Sequence, residues 1–255
     1  MIRRLYDKSK IWFAVLWIIA YCVLMSAGDS LSETIGVAKI ITLPIACVLS
    51  FLLLMFFRKN VLWKQYGLCR AECPAKKMLY YIPVLIMMTT NLWLGVHFSL
   101  SAGETVLYTL TMFCVGFLEE IIFRGLLFKA MRENSTKAAI IVSSVTFGIG
   151  HIINLFNGSG AELISNLLQV VYATAAGFMF VMIYFRTHSL WICIGAHGLF
   201  NALSVFSNEV VQTTQTRIIT CVLLTLITGG YAVYIALSVK REAKQKRNEI
   251  VGDIR

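Results

Sequence analysis

Between residues 11 and 239 the chain runs through eight apolar stretches, each close to the length that crosses a bilayer, separated by short polar gaps. A spanning helix needs ~20 mostly apolar residues, because a rise of 1.5 Å per residue must cover ~30 Å of hydrocarbon. The stretches are 11–28, 35–57, 78–98, 104–128, 138–156, 161–185, 189–207 and 217–239. Lipid offers the backbone no hydrogen bonds, so each should be helical. The expected fold is all-α, a polytopic transmembrane bundle of about eight spans. Of the 255 residues, 58% are hydrophobic and 14% charged, too little polar surface to cover a soluble domain of this size. Mean hydropathy is +0.75. With three Pro, no Gly/Ser-rich linker and no repeat of 20–50 residues, the chain reads as a single membrane domain over 1–255.

Charge sets the expected orientation. With eight spans and a cytoplasmic N-terminus, all of the 23 Lys and Arg except Lys39, Arg124 and Arg217 fall on the cytoplasmic side, leaving 20 there. The positive-inside rule therefore places both termini in the cytoplasm. Arg3, Arg4, Lys8 and Lys10 before the first apolar run would also suit a signal peptide, but no small-x-small cleavage site follows, so an uncleaved helix is expected. The basic segment 240–255 reads as a cytoplasmic tail, solvated or bound to lipid headgroups. The net charge of +10 sits where membrane topology puts it and forms no basic face on a folded module, which argues against nucleic acid as a partner. The loop 58–77 mixes Val61, Leu62, Trp63, Tyr66 and Leu68 with Arg and Lys, and reads as an interfacial amphipathic piece. Five of the seven Cys lie in apolar runs and behave as small hydrophobes. Cys69 and Cys73 share a loop as CxxxC, a weak metal signal without a second ligand pair.

Ionisable groups inside spans cost ~2.5–3.5 kcal/mol each on insertion scales and usually mark function. Three spans carry them. The fourth contains Phe117-Leu118-Glu119-Glu120-Ile121-Ile122-Phe123-Arg124-Gly125. Glu120 and Arg124 are four apart and share a face, so they can pair. Glu119 points ~100° away and has no counter-charge at helical spacing. The fifth span has Gly148-Ile149-Gly150-His151, and the seventh has His197-Gly198-Leu199-Phe200-Asn201, with His197 and Asn201 again four apart. His97 and His188 fall at predicted helix ends and read as interfacial. Counting ~1.5 Å per residue from the cytoplasmic ends puts Glu119 at ~15 Å, Glu120 at ~14 Å, His151 at ~21 Å, His197 at ~12 Å and Asn201 at ~18 Å. Arg124 lies nearer the cytoplasm, at ~8 Å. One depth for polar groups on three helices favours one site over separate packing pairs.

These groups suit hydrolysis of a carbonyl compound, most naturally a peptide bond. A carboxylate and an imidazole can deprotonate water together. An imidazole and a carboxamide on a facing helix can donate to an oxyanion. No Ser or Cys sits in a nucleophile elbow, and a buried thiol such as Cys114 or Cys193 is inert by default.

At these residues the sequence resembles the CPBP family, the CAAX proteases and bacteriocin-processing enzymes. Its EExxxR, FxxxH and HxxxN motifs read here as Glu119-Glu120-x-x-x-Arg124, Phe147-x-x-x-His151 and His197-x-x-x-Asn201. The resemblance covers roughly 104–207, a CAAX-protease-like core. It implies an intramembrane endopeptidase in which Glu119 activates water with His151, while Glu120 and Arg124 complete the motif. His197 and Asn201 then stabilise the oxyanion or, in a metalloprotease reading, His151 and His197 bind a metal. Two His and Glu119 could hold zinc, although no HExxH helix is present. Implied partners are membrane lipid and a peptide or membrane-protein substrate. The implied setting is a bacterial plasma membrane, with a role in CAAX-like processing, bacteriocin maturation or self-immunity. Two other functions fit the same residues: a non-catalytic immunity or partner protein that keeps the polar cluster for structure, and a small transporter or proton relay. The last lacks the internal repeats and broken helices usual in transporters.

Overall fold

The computed structural model describes residues 2–156 and 162–252. Residue 161, taken as the start of the sixth span, and the last three residues of the basic tail lie outside the described residues. The described elements are helices α1 (Ile2–Lys8), α2 (Lys10–Ile35), α3 (Thr42–Lys59), α4 (Ile82–Thr89), α5 (Ala102–Glu119), α6 (Lys129–Arg132), α7 (Thr136–Gly150), α8 (Leu163–Thr187), α9 (Trp191–Leu203) and α10 (Thr214–Gly252). A π-helical stretch, Glu120–Phe128, joins α5 to α6 without a break. Short 3-10 turns precede and follow α4 (Ala75–Tyr81 and Thr90–Leu92) and extend α7 (His151–Leu155) and α9 (Ser204–Phe206).

Local chemistry sets several boundaries. The Ser9 hydroxyl accepts the Trp12 N–H at the start of α2, and Ser101 with Glu104 forms a reciprocal capping box on α5. Gly36 ends α2 in the left-handed region, at φ 78°.

Among the described residues, six segments are long and apolar enough to cross a membrane: Lys10–Ile35, Thr42–Lys59, Ala102–Arg132, Thr136–Leu155, Leu163–Thr187 and Thr214–Ile250. The chain is thus a polytopic helical membrane protein, but two of the eight expected spans differ from the sequence reading. The seventh is the shorter Trp191–Phe206. The third, 78–98, does not form one continuous helix. Leu79, Tyr80 and Tyr81 take φ values of 48°, 50° and 59°, which breaks the α-helical ladder, and Pro83 restarts it as the eight-residue α4.

The broken segment nevertheless connects the two ends of the bundle. One end, rich in Lys and Arg, is tied by Lys10 to Glu133 at 2.5 Å and by Lys77 and Arg186 to Glu242 at 3.1 and 2.5 Å. Leu190 N–H donates to Gly67 O there at 2.8 Å. At the other end Ala38 N–H donates to Glu104, His97 N–H to Phe206 O, and Arg217 pairs with Glu162. Lys77 lies at the basic end and His97 at the opposite one, so the described residues make eight passes through the bundle, six of them as the long apolar helices.

In the basic-end loop 58–77, read as an interfacial amphipathic piece, Val61 is exposed and Trp63 half-buried, while three other apolar side chains turn inward. Leu62, Tyr66 and Leu68 are buried, and Tyr66 stacks on Phe57 with ring centroids 4.9 Å apart. Apolar side chains that could have entered lipid instead plug the bundle. The tail of α10 also stays helical to Gly252, as its Lys, Arg, Glu, Gln and Ala content favours.

α5 packs on α9 and α3, while α8 packs between α7 and α10. The α5–α9 contact is backbone to backbone. A Cβ on Gly116 would stand 2.5 Å from Gly198 N, beside His197. Gly116→Ala is expected to force the helices apart, at the ~1–3 kcal/mol typical of overpacking. Gly103→Ala, where no heavy atom lies within 4 Å of the added carbon, is the control. Thermal melting in detergent should drop for the first and hold for the second.

Candidate active site

The α5–α9 crossing decides which side chains meet. It brings the Glu119-Glu120 junction, where the α-helix widens into the π-helical stretch, against His197 of α9. Wide π turns inside α-helices often occur at functional sites. His197 Nδ1–H donates to Glu120 Oε1 at 2.8 Å, and its Nε2 lies 3.3 Å from Glu119 Oε2. One imidazole therefore spans two adjacent carboxylates, one at each nitrogen.

The two glutamates have different surroundings. Glu120 is fully buried and also accepts Arg124 Nη1–H at 3.0 Å. The Arg124 guanidinium lies 4.1 Å from the Phe147 ring centroid and 5.5 Å from that of Phe180. Those ring faces offset part of the desolvation of Nε and Nη2, which have no hydrogen-bond partner. Phe180 also stacks on His197, and Phe147 meets it edge-on. Glu120, Arg124 and the two rings thus form a closed support behind His197.

Glu119 faces the other way, into a cavity of about 330 Å³ that His151, His197 and Asn201 also line. Its Oε1 accepts the Tyr21 hydroxyl at 2.7 Å, and its buried Oε2 accepts no hydrogen bond. His151 sits at the α7 terminus, where Nδ1–H donates to Phe147 O at 3.1 Å. A carbonyl can only accept, so in the neutral ring Nε2 carries the lone pair. Asn166 of α8, itself buried, donates to His151 O at 2.8 Å and pins the end of that helix. The site therefore holds a carboxylate oxygen and an imidazole nitrogen that can accept protons, with the Asn201 carboxamide one turn beyond His197.

Of the residues singled out in the sequence, Glu119, His151, His197 and Asn201 share this cavity, while Glu120 and Arg124 lie behind its wall. His97 and His188 are remote and exposed, and His188 pairs with Glu72 at 3.0 Å. Cys69 and Cys73 are free thiols whose Sγ atoms donate to the backbone oxygens of His188 and Pro74. Sequence reasoning missed Tyr21 and Asn166. Each is a polar group inside a predicted span, and buried Tyr O–H and Asn groups seek partners.

The residues do not fit a three-ligand zinc site. His197 Nε2 and Glu119 Oε2 are spaced like two corners of a tetrahedron with ~2.0–2.1 Å bonds. The same spacing suits two groups that share a proton. A catalytic zinc takes three protein ligands, and no group of three His, Cys, Asp or Glu side chains among the described residues is arranged to hold a metal.

Tyr21 belongs to α2, far from the motifs in sequence, and its bond fixes which oxygen of Glu119 faces the cavity. Tyr21→Phe should leave the helix intact, free Glu119 to rotate, and lower the rate of a cleavage assay by roughly 10-fold, the effect of a lost ~1.5 kcal/mol bond to a charged group. An unchanged rate would mean that Glu119 is held without it.

Comparison with known proteins agrees with the motif reading. Residues 101–203 match the family described as Rce1-like, type II CAAX prenyl endopeptidase Rce1-like. A stretch of 89 residues is 37% identical to the protein named "Putative membrane peptidase YdiL" from Bacillus subtilis (strain 168). It covers 34% of this chain and 31% of that protein, so the chain aligns with under a third of the relative's length. No solved structure matches the chain. The segment matched by the family model contains all three motifs, Glu119-Glu120-x-x-x-Arg124, Phe147-x-x-x-His151 and His197-x-x-x-Asn201, so the likeness falls on the site itself.

Proposed function

We propose that the chain is an intramembrane endopeptidase that hydrolyses peptide bonds of membrane-associated or peptide substrates. The observation that carries this reading is the sorting of the two carboxylates: Glu119 faces the cavity with His151, while Glu120 is closed off with Arg124. Water held between Glu119 Oε2 and His151 Nε2 loses a proton as it attacks the scissile carbonyl. Asn201 donates to the oxyanion that forms, together with the Nε2–H of a doubly protonated His197 whose Nδ1–H is held by Glu120. The proton then passes to the leaving amine.

The basic end of the bundle faces the cytoplasm in this proposal, so both described termini lie inside. The setting is a bacterial plasma membrane, and the products serve bacteriocin maturation or self-immunity. Membrane fractions from cells with the wild-type chain and with Glu119→Gln should differ in a small set of peptides, shortened only in the wild type. Identical peptide sets would remove the endopeptidase assignment. Because the side chains fall short of three metal ligands, cleavage is expected to survive stripping by a chelator. Near-stoichiometric zinc that disappears in His151→Ala would overturn that part.

A further inference from the structure

The cavity reaches only one end of the bundle. Its lining on α2 runs from Tyr21 to Asp29, on α5 from Tyr108 to Glu119, and on α9 from His197 toward Ser204. On α2 and α9 these runs extend toward the end remote from the basic one, and beyond Glu119 only Phe123 of the π-helical stretch still touches the cavity. On α8 and α10 the lining likewise stops at Phe180 and Thr228, short of Arg186 and Lys240. Toward the basic end the way is blocked, since every residue from Glu120 to Phe128 is buried, as are Met182, Ile183, Tyr184, Leu190 and Cys193. The plug formed by Leu62 and Tyr66 lies beyond them.

The open end is polar. Asp29 and Lys39 pair at 2.8 Å among the lining residues, with Lys39 lying 5.6 Å from the Tyr108 ring centroid. Also in the lining, Asn154 donates to Gln169 at 3.1 Å, and Asn91 donates to Phe200 O at 2.7 Å. Carboxamides both donate and accept, which matches the alternating N–H and C=O groups of an extended peptide.

We infer that the substrate is a peptide segment that enters from the end opposite the basic one, past Asp29 and Lys39, and reaches Glu119 from there. Its identification as a peptide rests on the endopeptidase reading above, whereas the side of entry rests on the cavity alone. Where the basic end is cytoplasmic, the substrate is presented from the extracytoplasmic face.

The chain carries thiols suited to a test. Cys22 lines the cavity, and Cys69 and Cys73 sit at the basic end. Right-side-out and inverted vesicles holding the full chain are treated with a charged, membrane-impermeant methanethiosulfonate, and each cysteine is read by mass spectrometry. Ser26→Cys adds a second cavity position nearer the mouth, in case the half-buried Cys22 reacts slowly. The expected result is that residues 22 and 26 are modified from the side opposite to that modifying Cys69 and Cys73. Modification of all four from one side would overturn the inference, as would protection of both cavity positions from either side. Neither outcome depends on cleavage, so a failed endopeptidase assignment and a failed entry side remain distinguishable.

Discussion

Glu119→Gln is expected to abolish turnover while leaving abundance and melting temperature close to wild type. The substitution keeps the shape of the side chain and its carbonyl oxygen, so the Tyr21 hydroxyl retains an acceptor at the position it now bonds at 2.7 Å. What disappears is the oxygen that faces the cavity and His197 with no hydrogen bond of its own. A lost general base typically costs ~10²–10⁴-fold in rate. The fold loses little, because Glu119 has no partner in the Arg124 pair. Abundance, melting and cleavage measured together decide the matter. An active Glu119→Gln would reject the water-activating role. A collapsed one would place Glu119 in the structural network and exchange the roles of the two glutamates.

The sequence made the bundle and most of the site legible for a physical reason. Hydrocarbon penalises charge so strongly that Glu119, Glu120 and Arg124 in the fourth apolar run could hardly be incidental. The spacings of Glu120 with Arg124 and of His197 with Asn201 fixed which side chains share a helix face. Rotation and close approach were not legible. That Gly116 and Gly198 touch, and so set His197 between both carboxylates, depends on how two helices cross rather than on either sequence. Tyr21 is similar: a Tyr in an apolar run gives no hint that its hydroxyl reaches a residue 98 positions away. The third span misled because hydropathy measures transfer to lipid and says nothing of φ. The chain 78–98 is apolar enough to cross, yet Leu79, Tyr80 and Tyr81 turn it out of the helix. The plug of Leu62 and Tyr66 escaped notice for a related reason, since apolar residues in a basic loop suit an interface and a core equally well.

Removing either member of the Glu120–Arg124 pair is expected to deplete the folded protein rather than only slow it. Both side chains are fully buried, so each single variant strands a charge with no water to take the partner's place. Breaking such a pair typically costs ~3–5 kcal/mol. Arg124→Ala also empties space between Phe147 and Phe180. Glu120→Gln is gentler, because its carbonyl oxygen can still accept the His197 Nδ1–H, yet it leaves the guanidinium uncompensated. Neutralising both ends at once should behave differently. Replacing a buried pair by uncharged side chains of similar volume is often neutral or stabilising, so Glu120→Gln combined with Arg124→Met should recover abundance and melting relative to either single variant. The double variant keeps an acceptor behind His197 and should retain part of the cleavage activity. If it is instead no more abundant than Arg124→Ala, stranded charge is not the cause. The guanidinium then acts through its packing against the two rings, with the ion pair a secondary feature of the support behind His197.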